Sequence, residues 1–294
     1  MKKELIGVCV LGVALAVGIW WQWPGKDAGL NSATTESAAR SAAVVANDRS
    51  PGQEGRQGGW RGGEDFLMEF HRLKGAAEQG DTVAQLGLSE IYERCAGYAA
   101  SPEKYVEGIE SLATANESQR AAVENLAKRV SERCRAVSNA GSFSGLDYQE
   151  WLMRAAQSGS LTANARLMTR SFETPNPDNV KKVADLAIAG KDAKALFETG
   201  ELMARVEDSG ALGAYQAVSG PGVGAYAWGV VACRMGLNCG PSSLIMDSLC
   251  LNTGKCSYSS YEDFIRGEFI PRGEQVKLDQ AIEFIVNNVN GSSK

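Results

Sequence analysis

The stretch Ala76-Ala77-Glu78-Gln79-Gly80-Asp81-Thr82-Val83-Ala84-Gln85-Leu86-Gly87 decides the fold. On its upstream side Phe66, Phe70, Leu73 and Ala77 recur at three- and four-residue spacing, and on its downstream side Ala84, Leu88, Ile91 and Tyr92 do the same. That period belongs to an amphipathic α-helix. Between the two series, Gly80 supplies the left-handed conformation that ends a helix, and Asp81 offers a carboxylate to the first free amides of the next one. The paired alanines and Ala84 have side chains small enough for two helices to approach closely. The stretch therefore predicts a tight helical hairpin.

The same logic recurs along the chain. Ala155-Ala156-Gln157-Ser158-Gly159-Ser160 leads into Ala163-Asn164, with Ser160 as the cap. A third copy spans Ala184 to Ala195, where Gly190-Lys191-Asp192 places the cap one residue later. A fourth, more degenerate, runs from Ala217 through Ser219-Gly220 to Ala225, Ala227 and Trp228. Gly159, Gly190 and Gly220 are spaced by about 30 residues, a period that belongs to stacked helical repeats. Gly80 lies much farther upstream, so the first interval holds an insertion or an unrecognised unit. The pattern over residues 76–92, ending on Tyr92, resembles the Sel-one-like repeat, a relative of the tetratricopeptide repeat. The resemblance implies an all-α, right-handed α/α solenoid and an adaptor or scaffold role. An ordinary helical bundle with alanine-rich contacts is the alternative architecture.

The expected organisation has four parts: an N-terminal membrane anchor or signal peptide at 1–23, a flexible linker at 24–63, a helical repeat region at 64–225, and a cysteine-rich helical region at 226–294. Lys2-Lys3 precede an uncharged run from Leu5 to Trp21, which closes on Trp20, Trp21 and Trp23 before Pro24. As a helix this run is about 26–28 Å long, enough for a bilayer core. Lysines before it and tryptophans after it suit a single pass that begins in the cytoplasm, so residues 5–23 are expected to contact the membrane. A cleaved signal peptide is the competing reading, and the bulky Trp-Trp-Gln-Trp end is a poor cleavage site. Cys9 follows Val8, where a lipoprotein signal would have a small residue. The linker is rich in Ala, Ser, Gly and Asn, and has too little apolar surface to offset the entropy of ordering it.

The formal net charge of −5 comes without a basic stripe, which argues against nucleic acid as a partner. The 44% hydrophobic content is sufficient for a real core. Six cysteines lie beyond the anchor: Cys95, Cys134, Cys233, Cys239, Cys250 and Cys256. An even number in a translocated domain reads as disulfides. Cys95 and Cys134 sit in similar settings, each late in a helical segment, and are expected to pair. Cys233/Cys239 and Cys250/Cys256 share one short spacing, so each pair could staple a helix end to its following turn, although other connectivities stay open. A four-thiolate zinc site is the rival reading, but its pairs normally lie closer in sequence.

Material for catalysis is scarce. His71 is the only histidine, and nucleophile–base catalysis usually recruits one. Gly141-Ser142-Phe143-Ser144-Gly145 departs from a nucleophile elbow, Ser101-Pro102-Glu103-Lys104 is a four-residue match only, and Gly220-Pro221-Gly222-Val223-Gly224 has no strand before it and reads as a loose interhelical turn. Glu262-Asp263 are adjacent and suit helix capping or solvent. No catalytic, cofactor or metal residue is assigned. Tyr215, Tyr226, Trp228, Tyr258 and Tyr261 are the candidates for partner binding: most aromatics at helical spacing are core, but any that faced the inner surface of the array would anchor a peptide or glycan.

These readings combine into an expectation: a non-catalytic scaffold that binds envelope proteins or peptides, anchored in a bacterial inner membrane with its folded domain in the periplasm, or secreted after signal cleavage. A cell-wall hydrolase or lytic enzyme with carboxylate or serine chemistry is the alternative, and a structural envelope protein without a specific partner is a third reading.

Overall fold

In the computed structural model, the described residues are 63–291 apart from 116, 141, 142, 144 and 145. The anchor expected at 5–23, and all but the last residue of the linker expected at 24–63, lie outside them. Among the described residues there is no strand, and no helix is long and apolar enough to cross a membrane.

The helices run in the order α1 (Gly63–Glu78), α2 (Thr82–Ala100), α3 (Pro102–Ala115), α4 (Arg120–Asn139), α5 (Asp147–Gln157), α6 (Leu161–Arg170), α7 (Pro177–Gly190), α8 (Ala193–Ala204), α9 (Val223–Arg234), α10 (Leu244–Thr253), the short α11 (Tyr261–Phe264) and α12 (Gln275–Gly291). A kinked 3-10 segment, Ser209–Val218, precedes α9, and one wide π turn, Ile265–Phe269, continues α11.

Three hairpin turns form as their residues require. At the first, Asp81 N donates to Ala76 O at 3.0 Å and Gly80 N to Ala77 O at 3.0 Å, while the Asp81 carboxylate accepts from Ala84 N at 2.8 Å. At the second, Ser160 N donates to Ala155 O at 2.9 Å, Gly159 N to Ala156 O at 3.0 Å, and Ser160 Oγ accepts from Ala163 N at 3.1 Å. At the third, Asp192 N donates to Ala187 O at 3.1 Å, Lys191 N to Ile188 O at 3.2 Å, and the Asp192 carboxylate accepts from Ala195 N at 3.0 Å. Each turn thus closes one helix with the paired bonds of a Schellman motif and opens the next with a side-chain cap. The left-handed position is Gly80 (φ 90°), Gly159 (φ 94°) and, in the third turn, Lys191 (φ 50°) rather than Gly190. Gln85 and Asn164 also match in role: the first donates to Ala77 O and the second to Ala156 O, each at 3.3 Å.

The fourth hairpin departs from this plan. Its first arm is the 3-10 segment, broken at Gly213, and Gly222 opens α9 without a side-chain cap. The turn expected to be loose is tight. Gly220 N donates to Met203 O at 2.9 Å, and a Cβ on Gly224 would lie 2.7 Å from the carbonyl carbon of Val218. Glycine is needed there so that the backbone of α9 can lie against its own turn.

The interval between Gly80 and Gly159 holds the pair α3 and α4, which pack on each other, with α4 also against α1 and α2. Farther along, α2 packs on α5, α6 on α8, α8 on both α7 and α9, and α9 on α12. The apolar interior falls into two main clusters. One is built from α1 to α4 around Phe66, Phe70, Leu88, Ile91 and Leu126, the other from α6 to α12 around Trp228, Leu196, Met203, Phe264 and Ile285. Leu86, Leu152, Ala155 and Ala163 form a small cluster between them. Helix α10 joins both large clusters: Cys250 and Leu251 pack with the first, Met246, Ile245 and Leu249 with the second. The boundary expected at 225/226 falls inside α9, a helix that belongs to the second core.

Three disulfides close the fold: Cys95–Cys134 between α2 and α4, Cys233–Cys239 at the end of α9, and Cys250–Cys256 at the end of α10. By loop-closure entropy, the first stabilises by about 4 kcal/mol and each short one by about 2 kcal/mol. Structural disulfides of this kind fit an oxidising, extracytoplasmic compartment.

Candidate functional site

The most organised polar feature is a charged face carried by α2, α6 and α8, the second helices of the first three hairpins. Each presents charged residues four apart and therefore on one side of its helix: Glu90 and Arg94, Arg166 and Arg170, Lys194 and Glu198. Arg166 is central. Its guanidinium donates to Glu198 Oε1 through Nε at 2.8 Å and to Glu90 Oε1 through Nη2 at 3.2 Å. Lys194 Nζ completes the Glu90 site from α8 at 3.1 Å. Farther along, Arg170 pairs with Glu93, and its guanidinium lies over the Tyr148 ring.

Burial sets the electrostatics. Desolvation alone would raise the Glu90 carboxyl, but the charges of Lys194 and Arg166 outweigh it and hold the group below its ordinary range. Desolvation would likewise lower Arg166, yet Glu198 and Glu90 together keep its proton held more tightly than usual. Both partners are thus fixed in their charged forms. On α8, Glu201 is exposed but sits in a crowded surround, and desolvation followed by the Glu198 charge pushes its carboxyl up.

The aromatics expected to bind a partner are placed mainly in packing roles. Trp228 is 0% exposed, and its Nε1 donates to Val218 O at 2.9 Å across the tight turn. Tyr215 is buried beside it, with its hydroxyl donating to Asp185 at 2.6 Å. Tyr261 is buried under α9, where a Cβ on Gly229 would lie 2.6 Å from its hydroxyl. These three have almost no surface to offer a partner, because α9 and α12 need them as filling. Tyr226 and Tyr258 are half-buried, the first tilted against Phe269 and the second edge-on to Phe264, and the Tyr258 hydroxyl donates to Glu268.

The other singled-out residues have local duties. His71 is exposed, with its ring edge-on to Phe70. Ser101 ends α2 and Pro102 begins α3. Glu262 pairs with Arg234 and Arg266, and Asp263 N takes its cap from Ser260. Phe143 packs on Tyr92, while its serine and glycine neighbours lie outside the described residues. The cysteines considered for zinc are joined as disulfides, and no group of acids, histidines and cysteines among the described residues is arranged to hold a metal. Comparison of the chain with protein-family models, with curated proteins and with solved structures gave no match.

Proposed function

We propose that the chain is a helical-repeat scaffold, displayed outside the cytoplasm from an N-terminal membrane anchor, whose charged α2–α6–α8 face docks a protein or peptide of the cell envelope. In this reading the four hairpins stack as a right-handed solenoid of the kind the Sel-one-like resemblance implies, and the face is the surface the array presents. The three turns with shared bonding support the repeat, and the disulfides support the compartment. The observation that carries the docking role is the Glu90–Arg166–Glu198 bridge. It joins largely buried charged residues from three different hairpins, with the more exposed Arg170–Glu93 pair on the same helices. Charges held ionised in pairs suit electrostatic recognition, where they set specificity and encounter rate.

The lytic alternative has one observation in its favour, the raised carboxyl of Glu201 beside Glu198, since a glycosidase needs one carboxyl kept protonated. Loss of wall-degrading activity in Glu201→Gln would support it.

The docking role is tested by placing a photo-crosslinking residue at position 201, on the face, or at position 181, on the exposed side of α7, in cells. Adducts from position 201 that are suppressed by Arg170→Glu, with none from 181, are expected. Equal labelling from both positions, or none, contradicts the reading.

A further inference from the structure

Helix α10 is seated by a cluster of charged side chains. Asp247, 2% exposed, accepts from Arg129 Nη2 at 2.7 Å on one oxygen and from Arg133 Nη1 at 3.1 Å on the other. From α2, Arg94 reaches the same place and donates through Nη2 to the carbonyl of Leu244, the first residue of α10, at 2.8 Å. Three guanidiniums from two helices therefore surround one carboxylate. Burial weakens the hold of Arg133 on its proton, Asp247 strengthens it, and the charges of Arg129 and Arg94 weaken it again. Arg94 is also lowered by burial, despite Asp247, Tyr105, Glu93 and Glu90 nearby. Those two glutamates are already engaged, Glu90 by Arg166 and Lys194, and Glu93 by Arg170.

The donors are not exhausted. Arg129 Nε is buried and has no acceptor, and Arg94 uses one of its five N–H donors on a backbone carbonyl. A buried charged donor without an acceptor is costly, and guanidinium forks match carboxylate and phosphate oxygens in pairs. The Arg129 side chain stays 30% exposed, so the cluster is open to solvent on that side.

We propose that Arg94 and Arg129, backed by Arg133, form an oxyanion-binding site at the junction of α2, α4 and α10, which takes the carboxylate or phosphate group of a ligand as the second acceptor that Asp247 alone does not provide. The site does not depend on the docking role argued above: Arg94 shares a helix side with Glu90, but it donates to the Leu244 carbonyl and takes no part in the Glu90–Arg166–Glu198 bridge.

The test is calorimetric titration of the full chain with inorganic phosphate and, separately, with succinate, at ionic strength held constant with chloride. Saturable single-site binding of at least one of the two is expected, and which one binds tells whether the natural group is a phosphate or a carboxylate. Arg129→Gln should weaken that binding about tenfold or more, the loss of one charge-assisted hydrogen bond, while Lys128→Gln on the same helix leaves it unchanged. Arg129→Lys, which keeps the charge and removes the fork, should fall between them. Absence of saturable binding of both anions by the unaltered chain overturns the proposal. So does binding that Arg129→Gln and Arg94→Gln leave intact.

Discussion

Asp81 shows how much the sequence neighbours of one side chain can say about its role. Its place after Gly80 and before an apolar series implies a cap, and its carboxylate does accept from Ala84 N. Asp81→Ala should cost about 1 kcal/mol of stability, measured by urea unfolding, and Asp81→Asn much less. Glu90 illustrates the opposite case. A single acidic residue midway along a helix has no local signature, and its partners Arg166 and Lys194 lie in other hairpins. The available signal is the repeated four-residue spacing of charges on α2, α6 and α8, which becomes meaningful only once those helices are known to be neighbours. Because its carboxyl is lowered from an ordinary value of 4.5, Glu90 contributes stability that is present above that value and lost as pH falls through its folded-state value. Glu90→Gln should therefore be less stable than the parent by about 2 kcal/mol at neutral pH, with the gap closing in acid. A gap that persists unchanged well below the ordinary value would show that packing, not charge, is what the substitution removed.

At the scale of elements, the hairpins are legible because each turn is local: glycine, cap and small residues lie within a dozen positions. The fourth is legible only in part, since a 3-10 arm broken at Gly213 carries no clear helical period, and the close fit of Gly224 against Val218 is a tertiary fact. The short disulfides could be expected from their spacing, and the long one from the matching settings of its two cysteines. The seat of α10 is hidden, because nothing near Asp247 in the sequence announces Arg129 and Arg133 more than a hundred positions earlier. Removing that carboxylate takes away the counter-charge that Arg129 and Arg133 share. Asp247→Asn should destabilise by about 3–5 kcal/mol and raise amide exchange first in α10. If exchange rises uniformly instead, α10 is not the element that Asp247 holds. The aromatics Trp228, Tyr215 and Tyr261 teach a related lesson: side chains of that size near a tight turn are filling before they are surface.

Among the described residues, α10 packs in a way that a simple array would not. Repeat units ordinarily touch only their neighbours, whereas α10 packs with both large apolar clusters and returns the C-terminal region to the cluster that holds α3 and α4. The composition implies a helical fold and an oxidising setting, but this closure depends on contacts that no local pattern encodes. The disulfides tie the same parts together: one joins the first hairpin to α4, and another ends the helix that spans the two clusters. The three disulfides suit a domain that folds, oxidised, outside the cytoplasm. The direct measurement is thiol trapping in intact cells. The full chain is alkylated at once on lysis, with and without prior reduction, and its mass and linked peptides are read. The account predicts that Cys95 is joined to Cys134, Cys233 to Cys239 and Cys250 to Cys256, and that all six are blocked to the reagent until reduced. Six free thiols in the folded protein as it exists in the cell would contradict it.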